Sequence, residues 1–317
     1  MLWLGILFQV VGYSVLNIGA GFQKIGADQA PSIQETKFMD NVKNFLSNKP
    51  WMLGYLAIAA GTILTFFALG FGDFSILQPF MAVGIVVQAL FCHYYLKEKI
   101  TRKAIYSMIL MIAGVILVGI ASRQSTGQAD FPTVINQVLR PYSLVFLISV
   151  AGIAILSFSY TRLKNYKNHA SIWLSIFTGI TSVFSYFLTK MLMAGLFGYG
   201  LTVELFGNIV AWVILVLMLI TSTISFIMKT VAYQYGRAVL INNLFNAFNI
   251  SLPVLFGVIS LDEWVGVPID LIFIQILGVV IIMGGIFLMM YAEIKGDVAI
   301  CAVTSEVSKP DAESTDP

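Results

Sequence analysis

The sequence predicts an all-α, polytopic membrane protein of about nine transmembrane helices, built as two inverted four-helix repeats joined by a central helix. Three observations carry this. Of 317 residues, 58% are hydrophobic and 11% charged, whereas a water-soluble domain carries about 25% charged residues. Nine apolar stretches reach the roughly 20 residues that a helix needs to cross the hydrocarbon core. One stretch also occurs twice: FALGFGDFSILQPFMAVGIVVQALFCHYYLKE at 67–98 and VAYQYGRAVLINNLFNAFNISLPVLFGVISLDE at 231–263. Ala68 matches Ala232, Gly72 matches Gly236, Gln78 matches Asn242, and the LKE ending in Glu98 matches the LDE ending in Glu263. The offset is 164 residues at Gly72 and 165 at Glu98.

The first span, about 2–21, has no basic n-region and no small-residue cleavage pattern, so it reads as a retained helix and not a signal peptide. It runs on to Lys24. Its counterpart, the sixth span, runs to Lys190 at an offset of 166, with Gly19 and Ser185 each five residues before the lysine. Ser32-Ile33-Gln34-Glu35 is a capping box. Phe38, Val42, Phe45 and Leu46 then recur on one face, which predicts a surface helix over 32–47 in the cytoplasmic headgroup region. Spans two and three, 51–71 and 74–96, are joined by so short a turn (70–73) that they must be antiparallel neighbours. Span four, 103–122, completes the first repeat, 1–122; span five, 142–160, is the linking helix. Spans six to nine, 169–193, 207–230, 237–260 and 267–291, make the second repeat, 169–291. Residues 292–317 are polar and end in Pro317, and read as a disordered cytoplasmic tail.

Fifteen lysines and arginines fall in one set of alternate loops and tails, and three (Arg123, Arg140, Lys190) in the other. By the positive-inside rule the N-terminus is outside and the C-terminus cytoplasmic, in a multi-pass protein of the plasma membrane. Equivalent helices lie five apart in the chain, an odd number, so the two copies are inverted. Inverted repeats around a midplane site are an architecture of alternating-access carriers.

Polar residues within the spans are few. Asn242, Asn246 and Asn249 are spaced i, i+4, i+7 on one face of the eighth span, with Pro253 continuing the face and Asn243 one step round. Amides in a membrane helix face protein or water. They read as a solute-lining face, with interhelical hydrogen bonding as the alternative. The twin span carries Gln78 and Gln88. Pro253 frees a carbonyl one turn back, whereas Pro79, near a helix start, reads as a simple kink. Glu98 and Glu263 end equivalent helices on opposite faces. They read as a gate or as interfacial punctuation, and Lys24 and Lys190 as charges at the mouths or as snorkelling side chains. Asp73 and Arg237 read as solvated turn charges.

The absences narrow the class. Net charge is +2, with no basic patch for nucleic acid. Cys92 and Cys301 are far apart and suggest neither a disulfide framework nor a metal site. No acid lies near the middle of a span, no phosphate-binding Gly-Lys-Ser/Thr loop occurs, and no nucleophile–base pair appears. No enzyme and no cofactor is expected.

Gly61-Thr62-Ile63-Leu64-Thr65-Phe66, followed by Ala68, Phe71, Ser75, Pro79 and Leu96-Lys97-Glu98, resembles the second and third helices of the NIPA-type magnesium transporters, a branch of the drug/metabolite transporter (EamA-like) superfamily. Leu16-Asn17-Ile18-Gly19 with Phe22-Gln23-Lys24 resembles the opening motif of that group, and Phe184-Ser185 with Lys190 is similar too. The resemblance implies a carrier of Mg²⁺ or another divalent cation, and adds Asn17, Thr62 and Thr65 to the lining proposed for Asn242, Asn246, Asn249 and Gln78. A permease for a neutral or zwitterionic metabolite or drug stays open, favoured by the missing acids. So does a non-transporting scaffold or receptor, and so does a homodimeric assembly.

Overall fold

The computed structural model describes residues 2–28, 43, 46–96, 102–121, 130–164, 170–199, 207–235 and 238–294. Most of the surface helix expected at 32–47, together with Glu98, Arg237, the tail beyond 294 and the side chain of Lys24, lies outside the described residues.

Amides in hydrocarbon must bond within their own segment, so the apolar stretches become helices. In order these are α1 (Leu2–Asp28), α2 (Lys49–Ala68), α3 (Phe74–Leu77), a 3₁₀ turn (Gln78–Phe80), α4 (Met81–Leu96), α5 (Arg102–Ala121), α6 (Phe131–Val138), α7 (Pro141–Leu163), α8 (Ala170–Tyr199), α9 (Ile209–Tyr235), α10 (Ala238–Ser260) and α11 (Ile269–Ile294). Nine spans among the described residues are long and apolar enough to cross a membrane, α3 through α4 counting as one. Local chemistry sets the ends. Asn48 caps α2, its Oδ1 accepting the Trp51 N–H at 3.0 Å, and Pro50 occupies the first turn, where a missing N–H is harmless. The third span is not one continuous helix. Pro79 lacks an N–H, and the segment around it tightens into a 3₁₀ turn between α3 and α4. The short helix α6 was not legible from hydropathy.

The third span is 72% buried over its apolar window and the seventh 17%, so the third is a central column and the seventh faces lipid. α1 runs alongside the third span: Gly5 lies on Leu77, Gly21 on Phe91 and Gly84 on Tyr13. α10 runs antiparallel to it, with Gly257 against Ser75. α8 packs on α10. These four columns form the centre, and α2 and α9 lie outside them on α1 and α8.

Without water between helices, close approach depends on small residues. A methyl on Gly61 would sit 2.6 Å from the Gly12 carbonyl oxygen, and one on Gly54 2.6 Å from that of Gly19. α5 and α11 meet in the same manner at Gly114 and Gly278. A methyl on Gly114 would sit 2.5 Å from Gly278 O and beside Ile282; one on Gly278 would sit 2.8 Å from Gly114 O and beside Val118. The offset is 164 for Gly114 and Gly278 and again for Val118 and Ile282. The contact is therefore reciprocal, as at a two-fold axis. At one end of this pair Gly285 meets Ser107 and Met111, so the two helices run antiparallel.

Candidate functional site

Two polar assemblies lie where the halves meet. The first is a row down the centre. Gln9, Tyr13 and Asn17 recur every four residues and share a face of α1. A helical side chain leans toward its own N-terminus, and Tyr13 accordingly reaches back to donate its hydroxyl to Gln78 Oε1 at 2.7 Å. Asn17 Nδ2 donates to the Tyr13 carbonyl at 2.8 Å and lies against Gly84. Tyr186 of α8 approaches Tyr13 edge-on, with ring centroids 6.4 Å apart. On α10, Asn243, Asn246 and Asn249 are buried and Asn242 is half-buried. Asn249 Nδ2 donates to the Phe245 carbonyl at 2.8 Å. Pro253 has no N–H for the Asn249 carbonyl one turn back. From the Ser75–Gly257 contact, antiparallel register sets Gln78 level with Val254, so Asn249 follows about one and a half turns on.

This row is not saturated. Gln9 Oε1 and Nε2, Gln78 Nε2 and Asn249 Oδ1 are all buried without a hydrogen-bond partner among the described residues. Each such group costs about 1–3 kcal/mol, and their concentration on the central columns is what a polar ligand would relieve. Hydropathy does not reveal Gln9, Tyr13 or Tyr186, although the four-residue spacing of Gln9, Tyr13 and Asn17 was a readable signal.

Thr65 and Thr62 do not join this row. Thr65 is buried between α2 and α1, its Oγ1 donating to the Thr62 carbonyl at 3.0 Å, while Thr62 faces outward. α2 stands outside the central columns, and its polar residues stand there with it.

The second assembly is a clamp at one end of the bundle, on the turn between α2 and α3. Lys190 does not snorkel. It is buried, and its Nζ donates to the Leu69 carbonyl at 3.1 Å, at the end of α2, and to the Gly72 carbonyl in the turn that follows. Glu263 is not punctuation at the water line. Its Oε1 accepts the Phe74 N–H at 2.6 Å and its Oε2 the Ser75 N–H at 2.8 Å. A donor group thus sits at the carbonyl end of α2 and an acceptor group at the amide end of α3, each suited to its helix terminus. Asp73, expected as a solvated turn charge, is 4% exposed, because this turn is covered by the other half of the chain.

Local geometry aims Glu263. α10 ends in a Schellman turn: the Glu263 N–H donates to the Gly257 carbonyl at 3.0 Å, with Asp262 left-handed at φ 53°. Asp tolerates this conformation better than most residues, and the Asp262 carboxylate pairs with Arg140 and accepts from Tyr142. Gly257 leaves room for the Glu263 carboxylate, since any Cβ there would collide with it. Gln275 of α11 completes the clamp, donating to the Ser75 carbonyl at 3.0 Å and accepting from Trp264 Nε1 at 3.0 Å. Beneath the charges, Phe187 meets both Phe74 and Phe256, with centroids 6.3 and 4.9 Å apart. Burial first, then the neighbouring Asp73, pushes the Glu263 carboxyl up to about 7, against the pull of Lys190.

Residues 2–294 match the family model described as magnesium transporter NIPA. The chain is similar to the probable magnesium transporter NIPA9 of Arabidopsis thaliana, at 22% identity over 91% of this chain and 82% of that protein. It is similar to the magnesium transporter NIPA3 of Homo sapiens, at 22% identity over 97% of this chain and 75% of that protein. The probable magnesium transporter NIPA3 of Arabidopsis thaliana is 21% identical over 78% of this chain and 67% of that protein. No solved structure matches.

Proposed function

The chain belongs to the magnesium transporter NIPA family, and we propose that it carries Mg²⁺ or another divalent cation by alternating access. The observation that carries this reading is the unsaturated amide and phenol row on the central columns, to which each half contributes. Residues 1–122 and 169–291 act as inverted repeats about the linking helix over 142–160, a reading supported by the reciprocal Gly114–Gly278 contact. The halves rock about the row, and the clamp on the α2–α3 turn closes one face. With the N-terminus outside, that face is the outer one of the plasma membrane.

Mg²⁺ gives up its waters reluctantly. Amide oxygens suit an ion that keeps its water shell, by accepting hydrogen bonds from the bound waters: Asn249 Oδ1 and Gln9 Oε1 are placed to do so, whereas Gln78 Oε1 already accepts from Tyr13 and Gln78 Nε2 is a donor. The same lining suits a neutral or zwitterionic metabolite. That second reading is favoured by the absence of a carboxylate from the row.

The test is uptake into liposomes, measured per folded molecule, for Mg²⁺ and for a metabolite panel in parallel. Asn246→Leu and Gln78→Leu are expected to lower uptake at least about tenfold while leaving most of the protein folded, since each removes a partner of the solute. Uptake proportional to folded protein in both variants would take these residues out of the path. Uptake of a metabolite and not of Mg²⁺ would select the second reading.

A further inference from the structure

Three ionisable side chains meet where the halves touch at the clamp: Asp73 before α3, Lys190 on α8 and Glu263 after α10. They are 4%, 9% and 6% exposed. Fully ionised, the trio carries one net negative charge in a site largely shut off from water. Such a charge is costly, and a proton removes it. The ammonium of Lys190 is already engaged by the carbonyls of Leu69 and Gly72. Glu263 rests on two amides of the opposite half, those of Phe74 and Ser75. Any separation of the halves at this end strips both bonds from the carboxylate at once, and water takes their place.

We propose that Glu263 is a pH-sensitive latch: its carboxyl takes a proton from the water on the face that the clamp closes and returns it to that same water as the clamp opens, so that acid on that face holds the carrier shut and no proton crosses the membrane. This rests on the carrier reading above. The raised position of the Glu263 carboxyl, at about 7, agrees with it. The charged groups facing it are Asp73 from the α2–α3 turn and Lys190 from α8. α11 presents the neutral Gln275 through Ser75, and Asp262 turns away to Arg140. A solvated glutamate titrates at about 4.3. Between that value and about 7 the closed clamp holds a proton that the open one gives up. Acid therefore favours the closed clamp, and that advantage is lost as pH rises through about 7.

The full-length protein in liposomes, given a Mg²⁺ gradient, reports Mg²⁺ flux with the pH set equal on both sides at values between about 5 and 8. The wild-type flux is expected to rise about tenfold or more across this range. Glu263→Gln, which keeps the shape and one acceptor oxygen, is expected to flatten the profile. The same two proteins are melted without solute between about pH 5 and 8, where the wild type should lose stability relative to Glu263→Gln as pH rises. The same pH profile in both proteins overturns the proposal, as does a flat wild-type profile. If the wild type carries no Mg²⁺, the cation reading falls and the melting comparison decides the proton site alone; parallel curves overturn it.

Discussion

The pair α1–α2 and the pair α8–α9 hold the same kind of contact with different chemistry. Along α1, glycine recurs every seventh residue, at Gly5, Gly12, Gly19 and Gly26, and Gly12 and Gly19 meet Gly61 and Gly54 of α2. The positions 166 residues on from Gly5, Gly12 and Gly19 are Ser171, Thr178 and Ser185, and those 164 on from Gly61 and Gly54 are Ser225 and Met218. There the helices are tied by hydroxyls: Ser225 Oγ donates to the Thr178 carbonyl at 2.9 Å, and Ser185 Oγ to the Met218 carbonyl at 3.3 Å. One pair depends on the absence of side chains and the other on polar bridges, the two means of association open to helices in lipid. A third contact reverses the roles. Gly84 on α4 receives Tyr13 of α1, while Gly179 on α8 receives Phe248 of α10. Proposed repeats of this kind preserve distances between backbones and leave open which partner gives way.

The contrast breaks hardest at Gly61. Gly61→Leu places a branched side chain where even a methyl would lie 2.6 Å from the Gly12 carbonyl oxygen. The loss should reach about 3 kcal/mol or more by thermal melting in detergent. A wild-type melting curve would end the account of α1–α2 as a glycine contact. An exchange sharpens it. Gly61→Ser should cost about 2 kcal/mol through overpacking, and the reverse change, Ser225→Gly, about 1 kcal/mol through helix propensity and one lost bond. Equal losses would show that the two pairs are held alike. The smallest effect is Ser225→Ala, about 0.6 kcal/mol, because an interhelical hydrogen bond in a membrane is worth little more. A loss of several kcal/mol there would make the hydroxyl bridge the main tie between α8 and α9.

The spans, their number and the 164-residue echo were legible because hydropathy and self-similarity are one-dimensional properties of a chain. Asn246 and Asn249 were legible as a buried polar face for the same reason. The clamp was not. Glu263 bonds backbone amides 188 and 189 residues away, and a backbone amide leaves no mark in the sequence. Lys190 likewise bonds carbonyls, so its burial looked like an ordinary interfacial lysine. Gln9 stood alone in an apolar stretch and acquires meaning only beside Tyr13 and Gln78. The glycine heptad of α1 is legible as a spacing but not as a contact, since the sequence does not say which helix it meets. Thr62 was drawn in by resemblance, and a side chain's direction on a peripheral helix is not something a motif specifies.

The clamp also has a timetable. The amide of Phe74 leaves the ribosome 189 residues ahead of its partner Glu263. At about 5–20 residues per second the wait is roughly 10–40 s. Through that interval the start of the third span has only surface water to bond, because hydrocarbon offers nothing. The turn between α2 and α3 must therefore stay at the bilayer surface while five further helices are threaded. It takes its final seat only when the loop after α10 emerges, and a chain cut short before Glu263 leaves that turn unfinished.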